Sequence, residues 1–216
     1  MASAVATKTP VATTRLQTDI LTYLREVVRG KDVLDVGCVD HSAGTETNDR
    51  WMHKHLAQTA GSILGLDILE EDCAELRRRG YNMVAGDACT VNIGKDFDCI
   101  VAGEIIEHVE NPGLMIRNLA RHLRPGGKLI ITTPNNFFGL HMIESLLCNP
   151  RDRWNAQHVA WYDPFTLTNM VERSGLRVES CLYFTRSRKL LKAVTAGVPC
   201  WGWLASSIAI VATREA

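Results

Sequence analysis

Short, nearly continuous apolar runs alternate with helix-period segments along most of this chain, and that alternation restricts it to a mostly parallel sheet with helices on both faces. The runs Val33–Val36, Ile63–Leu66, Met83–Val84, Phe97–Val101 and Leu129–Thr132 are too uniformly apolar for strands wetted on one side. Between them, Trp51–Ala60, Glu70–Arg79 and Gly113–Leu123 carry helical spacing. A helix over Pro164–Ser174 leads through Gly175 into a sixth strand, Leu176–Phe184, and Ser207–Thr213 supplies a seventh. At the start, Leu16, Ile20, Leu21, Leu24, Val27 and Val28 recur on one helical face, so an amphipathic helix is expected over Arg15–Val28, closed by Gly30. The sequence predicts an α/β chain: a doubly wound, mostly parallel, seven-stranded sheet behind an N-terminal helix.

With 216 residues and 46% hydrophobic content, the chain can bury one full core, so residues 15–216 are expected to form a single domain after a flexible tail over 1–14. That tail has small residues but no continuous apolar stretch behind a basic start, so no secretory signal is expected there. Lys and Arg balance Asp and Glu at 24 each, leaving no global field to recruit nucleic acid or an acidic membrane. The seven cysteines form no CxxC pair, as expected of reduced thiols in a cytoplasmic protein. No uninterrupted apolar stretch is long enough for a transmembrane segment.

Chemistry concentrates in GEIIEHVENPG, from Gly103 to Gly113, which follows a buried-strand pattern. Glu104, Glu107 and His108 stand at i, i+3 and i+4, so a helix there puts all three on one face at the carboxyl end of a strand, where α/β sheets bind ligands. Two carboxylates and an imidazole can hold a divalent cation or share proton transfer. The same acids also complement a helix dipole, and His108 is then an ordinary partly buried histidine.

Four further signals fall in a fixed order. VLDVGC runs from Val33 to Cys38, LGLDI carries Asp67 and Ile68, GDA carries Asp87 and Ala88, and LRPGGKLIITTPN runs from Leu123 to Asn135. Over roughly residues 31 to 213 the order resembles class I S-adenosylmethionine-dependent methyltransferases. That resemblance implies a Rossmann-like fold with S-adenosylmethionine as cofactor. It places Asp35, Gly37 and Cys38 under the methionine part, Asp67 with Ile68 at the ribose, and Asp87 with Ala88 at the adenine. Glu104, ending its strand, belongs to the same cofactor set. A nicotinamide dehydrogenase shares the architecture but needs GxGxxG, which the turn Gly37-Cys-Val-Asp-His-Ser42 lacks. Val39 stands where many methyltransferases carry glycine, and Asp40–Arg50 reads as an insertion. Within it, His41 and Ser42 either touch cofactor or belong to a solvated loop. His53 and His55, on the following helix, are expected at the surface or an interface.

The Glu-x-x-Glu-His string resembles motifs in two metal-using branches of this family, one methylating ubiquinone precursors and one the terminal ribose of small RNAs. The resemblance implies that Glu104, Glu107, His108 and His158 hold Mg²⁺ or Mn²⁺, and that His158, His141 or His108 serves as catalytic base. The longer pattern is similar to sugar O-methyltransferases of methylmannose polysaccharide assembly. A small-molecule or oligosaccharide acceptor follows, with Trp154, Trp161 and Tyr162 offering flat faces to a pyranose. An RNA acceptor needs a broad basic surface, whereas Arg77–Arg79 marks a helix end, and Arg186, Arg188, Lys189 and Lys192 form only a small patch. A third reading is an inactive, cofactor-binding partner subunit. The apolar segment near 188–204, containing Val198-Pro-Cys-Trp-Gly-Trp203, is an insertion suited to a homodimer contact, a lid or a membrane-facing surface, of which the dimer contact is expected. Acidic residues kept at three strand ends favour an enzyme: a methyltransferase acting on the hydroxyl of a sugar or other small metabolite.

Overall fold

The apolar runs pair into one sheet in the computed structural model, which describes residues 13–17, 19–139, 155–185 and 205–215 together with residues 143, 147 and 202. In chain order the elements are β1 (Thr13–Gln17), α1 (Ile20–Val27), β2 (Asp32–Val36), α2 (Met52–Ala57), β3 (Ser62–Asp67), α3 (Glu70–Arg78) and β4 (Met83–Ala85). There follow β5 (Phe97–Gly103), α4 (Pro112–Arg121), β6 (Leu123–Pro134), α5 (Pro164–Arg173), β7 (Arg177–Phe184) and β8 (Ser207–Thr213). The sheet order is β1-β7-β8-β6-β5-β2-β3-β4. Strand β8 runs antiparallel to β6 and β7, and the remaining pairs are parallel. The chain builds outward from β2 to β4, then returns to place β5 on the other side of β2. That reversal leaves a crevice over the carboxyl ends of β2 and β5.

The seven expected strands are present, and β1 adds an eighth. The opening helix is therefore shorter than the apolar spacing implied. Asp19 caps it, accepting the Leu21 N–H at 3.1 Å, and residues 13–17 instead lie extended along the edge of β7. Pairing with that edge satisfies backbone groups that a detached helix would leave unmet. Thr13 and Thr14, assigned to the tail from sequence, belong to this strand.

Both faces of the sheet are dry. Leu34, Ile100, Ile131 and Ile210 pack with Met115, Ile116 and Leu119 of α4 and with Leu167 and Val171 of α5. Their strand neighbours Val33, Cys99, Ile130 and Val211 pack on the opposite face with Leu24 of α1 and Leu56 of α2. Successive residues feed opposite layers, which is why the strands read as unbroken apolar runs.

Charge closes the amino end of the sheet. Arg124 reaches Asp32 at 2.7 Å and Asp98 at 2.5 Å, while Ser62 donates to Asp32. The Ser62 hydroxyl, then Arg124, hold the Asp32 carboxyl down at about 2. A carboxylate with a depressed folded pKa stabilises the fold above its unfolded value and loses that contribution as pH falls through the folded one. Arg124→Met is therefore expected to unfold at higher pH on acid titration, with its deficit from wild type fully present above about pH 4 and closing toward about pH 2. Circular dichroism against pH checks this; superimposable acid transitions would contradict it.

Candidate functional site

A cleft of about 1170 Å³ opens over the carboxyl ends of β2, β3, β5 and β6. Asp35, Gly37, Cys38, Asp67, Ile68 and Glu104 line it, while Asp87 and Ala88 do not. They lie just past β4, where Asp87 folds back to accept the Cys89 N–H at 2.8 Å and Ala88 is buried.

The floor of the cleft is the turn after β2. Gly37 has φ +73°, and a Cβ there would lie 2.7 Å from Cδ1 of Ile105. Its N–H donates to the Leu66 carbonyl at 2.8 Å, tying β2 to β3. Asp67 finishes β3 with 9% exposure, one oxygen accepting the Val39 N–H at 2.9 Å and the other the Leu69 N–H at 3.1 Å. The missing glycine at position 39 is thereby explained. Val39 is fully buried, packs with Cys38, Trp51 and Met83, and meets Asp67 through its backbone. Gly37→Ala is expected to cost about 2 kcal/mol or more in stability, from the positive φ and the Ile105 clash together, and to lower ligand affinity in the cleft. Denaturant titration checks it, and an unchanged midpoint would contradict it.

Among described residues only Asp40 (φ 67°) and Glu104 (φ 51°) have positive φ without being glycine, and both line the cleft. Strained backbone of this kind gathers at functional sites. Asp40 begins the inserted loop, which forms a short 3₁₀ turn over Ala43–Thr47. Asp72 accepts the Ala43 N–H at 2.7 Å, while Arg79 and Tyr81 donate to Glu46 at 3.0 and 3.2 Å. The insertion is thus a braced wall, giving Asp40, His41, Asn48, Asp49 and Arg50 to the cleft.

The two histidines of α2 separate, and the expectation for His53 is overturned. His53 is 1% exposed, with Nδ1 2.9 Å from Oδ2 of Asp35. A carboxylate sunk in a strand end needs a buried donor, and α2 turns His53 inward beside Leu56 to provide one. His55 lines the cleft, its Nε2 2.6 Å from the Asp49 carbonyl.

The acidic string does not form the helical face its spacing allowed. Glu104 takes a left-handed conformation, its N–H held by the carbonyl of Thr132 at 3.0 Å, and only Ile106–His108 turn, as a 3₁₀ segment. Glu104 lines the cleft and is not a member of the group that Glu107 and His108 form with His158. Glu107 is 2% exposed and accepts the Thr133 hydroxyl at 3.0 Å. Its backbone carbonyl accepts Val159 N–H at 2.8 Å and Ala160 N–H at 3.3 Å, drawing in the segment that carries His158. The His108 and His158 rings meet edge to face, centroids 4.7 Å apart. One ligand atom from each of Glu107, His108 and His158 lies within 4.8 Å of the others. His108 and Gln157 reach the cleft, so the group sits at its rim.

Burial pushes the Glu107 carboxyl up to about 7. Burial, then the neighbouring His108, lowers the His158 imidazole, and its Nδ1 is buried with no hydrogen-bond partner among described residues. A partnerless nitrogen, a second imidazole and a desolvated carboxylate make a donor set that fits a divalent cation. Tyr162 belongs to the core, bridged through its backbone to Asn135, so it offers no face to an acceptor. Trp161 stands beside His158, ring centroids 5.5 Å apart. His141, Trp154, Arg186, Arg188, Lys189, Lys192 and all of segment 188–204 except Gly202 lie outside the described residues. Among described residues no helix is long and apolar enough to cross a membrane.

Thr133 and His53 are site residues that pattern reading missed. The Thr-Thr pair ending an apolar run before Pro134 was a signal, because buried hydroxyls need acceptors.

A family model described as a methyltransferase domain matches residues 12–181. A Coxiella burnetii protein named ubiquinone biosynthesis O-methyltransferase is 28% identical over 167 residues, covering 73% of this chain and 69% of the relative. A protein of the same name from Azoarcus sp. is 24% identical over 163 residues, 70% of this chain and 66% of that one. Among solved structures, a SAM-dependent methyltransferase from Archaeoglobus fulgidus aligns with TM-score 0.62 at 18% identity over 90% of this chain and 93% of its own. The N-methyltransferase NodS from Bradyrhizobium japonicum, in complex with S-adenosyl-L-homocysteine, aligns with TM-score 0.58 at 18% identity over 91% and 84%. With a family match along most of its length and a cleft at the switch point of its sheet, the chain belongs to the methyltransferase domain family and carries the class I S-adenosylmethionine-dependent methyltransferase fold.

Proposed function

We propose that this chain transfers a methyl group from S-adenosylmethionine to a hydroxyl of a small, uncharged metabolite, of which a sugar is one class, with a divalent cation at Glu107, His108 and His158. The observation that carries the reading is the junction of two features: a cleft floored by Asp35, Gly37 and Asp67, and a carboxylate with two imidazoles at its rim. Bound there, the cofactor supplies a methyl activated on a sulfonium. Asp67 accepts from the ribose hydroxyls and Asp35 faces the methionine ammonium, while Ile68, 69% exposed beside Asp67, offers an apolar face to the adenosine. Asp87 and Ala88, assigned to the base from sequence, stand just past β4 and outside the lining of the cleft.

A cation at the rim supplies Lewis acidity that lowers the pKa of an acceptor hydroxyl. Two imidazoles and one carboxylate suit Mn²⁺ better than Mg²⁺, which prefers oxygen ligands. Glu104 takes no part in that set and stays with the cofactor. His158, its pKa lowered by burial, is neutral at physiological pH and can take a proton or hold the ion; His141 is the other candidate base. Among described residues the cleft wall carries Asp19, Asp35, Asp40, Asp49, Asp67 and Glu104 against Arg50, a field that favours a sulfonium and repels phosphates, so RNA is a poor acceptor. The names of the Coxiella and Azoarcus relatives favour a second acceptor, one from ubiquinone biosynthesis.

Labelled S-adenosylmethionine, with hydroxylated sugars and phenols as acceptors in Mn²⁺ or chelator, tests the proposal. Metal-dependent label in a hydroxylated acceptor is the expected result. Transfer confined to amines or thiols would overturn it.

A further inference from the structure

We propose that His53 is a positioning residue for the methionine end of the cofactor, acting through Asp35. The inference rests on the cofactor reading above and adds a residue that does not itself line the cleft, although its helix neighbours Met52 and His55 do. Asp35 lines the cleft from the end of β2, whereas His53 stands behind it on α2 and is absent from the lining. Their side chains are 2% and 1% exposed, and Nδ1 lies 2.9 Å from Oδ2.

Three neighbours hold the imidazole. The Trp51 ring lies 5.3 Å away between centroids, the Tyr81 ring 6.0 Å, and the space at Gly65 is so narrow that a Cβ would come within 3.1 Å of His53 Cε1. Trp51 is itself fixed, its Nε1 donating to the Cys38 carbonyl at 2.6 Å. The donor therefore has one position, and the carboxylate it grips has one orientation. A buried carboxylate deprived of its donor carries a large desolvation penalty, relieved by turning away or taking up a proton. Either response removes the negative charge facing the cofactor's ammonium. Tyr81 and Trp51 also pack against the inserted loop, so the insertion and α2 together set the geometry of the motif after β2.

The test compares two ligands that share adenosine and a thioether but differ in the amino-acid group: S-adenosylhomocysteine and 5′-methylthioadenosine. Calorimetry on the full chain uses wild type, His53→Phe, which keeps a ring and removes the donor, and His53→Asn, whose amide N–H can replace Nδ1–H. The expected result is about tenfold weaker S-adenosylhomocysteine binding in His53→Phe, with 5′-methylthioadenosine unchanged within about twofold and most of the loss restored in His53→Asn. Should phenylalanine unfold the chain, Asp35→Asn must show the same ligand-selective loss. Equal loss of both ligands means a merely structural histidine and overturns the inference, as does undiminished S-adenosylhomocysteine binding. A wild type that binds only S-adenosylhomocysteine and loses it on Phe substitution without Asn rescue also overturns it; a wild type that binds neither ligand overturns the cofactor reading itself.

Discussion

Asp67→Ala is expected to weaken S-adenosylhomocysteine binding by about a hundredfold, because the proposed role gives Asp67 two charge-assisted hydrogen bonds to ribose hydroxyls, worth about 1.5 kcal/mol each. The same carboxylate holds the Val39 and Leu69 N–H groups, so its removal also loosens the turn under the ligand. Asp67→Asn separates the two roles. It preserves shape and one acceptor oxygen, and should lose only about tenfold. Calorimetry checks both, with a thermal melt to show that each variant is folded. If Asp67→Ala bound within about threefold of wild type, the assignment of the end of β3 to the ribose would be wrong.

His108→Ala is the second large effect, expected to lower turnover by about a thousandfold while S-adenosylhomocysteine affinity stays within about threefold. His108 is both a member of the Glu107 and His158 group and the member that lines the cleft. Its removal would take a ligand from the proposed cation and leaves His158 without its edge-to-face partner, yet spares the turn after β2. Steady-state rates with saturating cofactor, beside metal uptake by the same variant, measure the effect. Full activity in His108→Ala would remove the cation from the proposal.

The layered fold was legible because dry strands have no polar face to disguise them. Val33–Val36 and Phe97–Val101 contribute alternate residues to the two core layers, and an apolar run of that length has few other uses. The first element was misread because the spacing from Leu16 to Val28 is truly helical. What stops the helix at Ile20 is the Asp19 cap and the vacant edge of β7, and the second is a long-range fact no local pattern carries.

The floor of the cleft was legible as the strand-ending residues Asp35, Gly37 and Asp67, since turn chemistry and strand ends are local. The Glu104, Glu107 and His108 string was visible as a spacing but misread as a helix. A left-handed residue between strand and 3₁₀ turn sends Glu104 one way and Glu107 the other. The His53 partnership stayed hidden for a different reason. Asp35 and His53 are joined by burial across β2 and α2, and a sequence shows which polar residues lie in apolar surroundings without showing which of them meet.

The most direct measurement is calorimetric titration of S-adenosylhomocysteine into the chelator-treated wild-type chain. Saturable binding of one ligand per chain is expected without metal, since none of Asp35, Gly37 and Asp67 belongs to the Glu107, His108 and His158 group. A titration with no heat above dilution, repeated with the same outcome in Mn²⁺, would contradict the account at its centre.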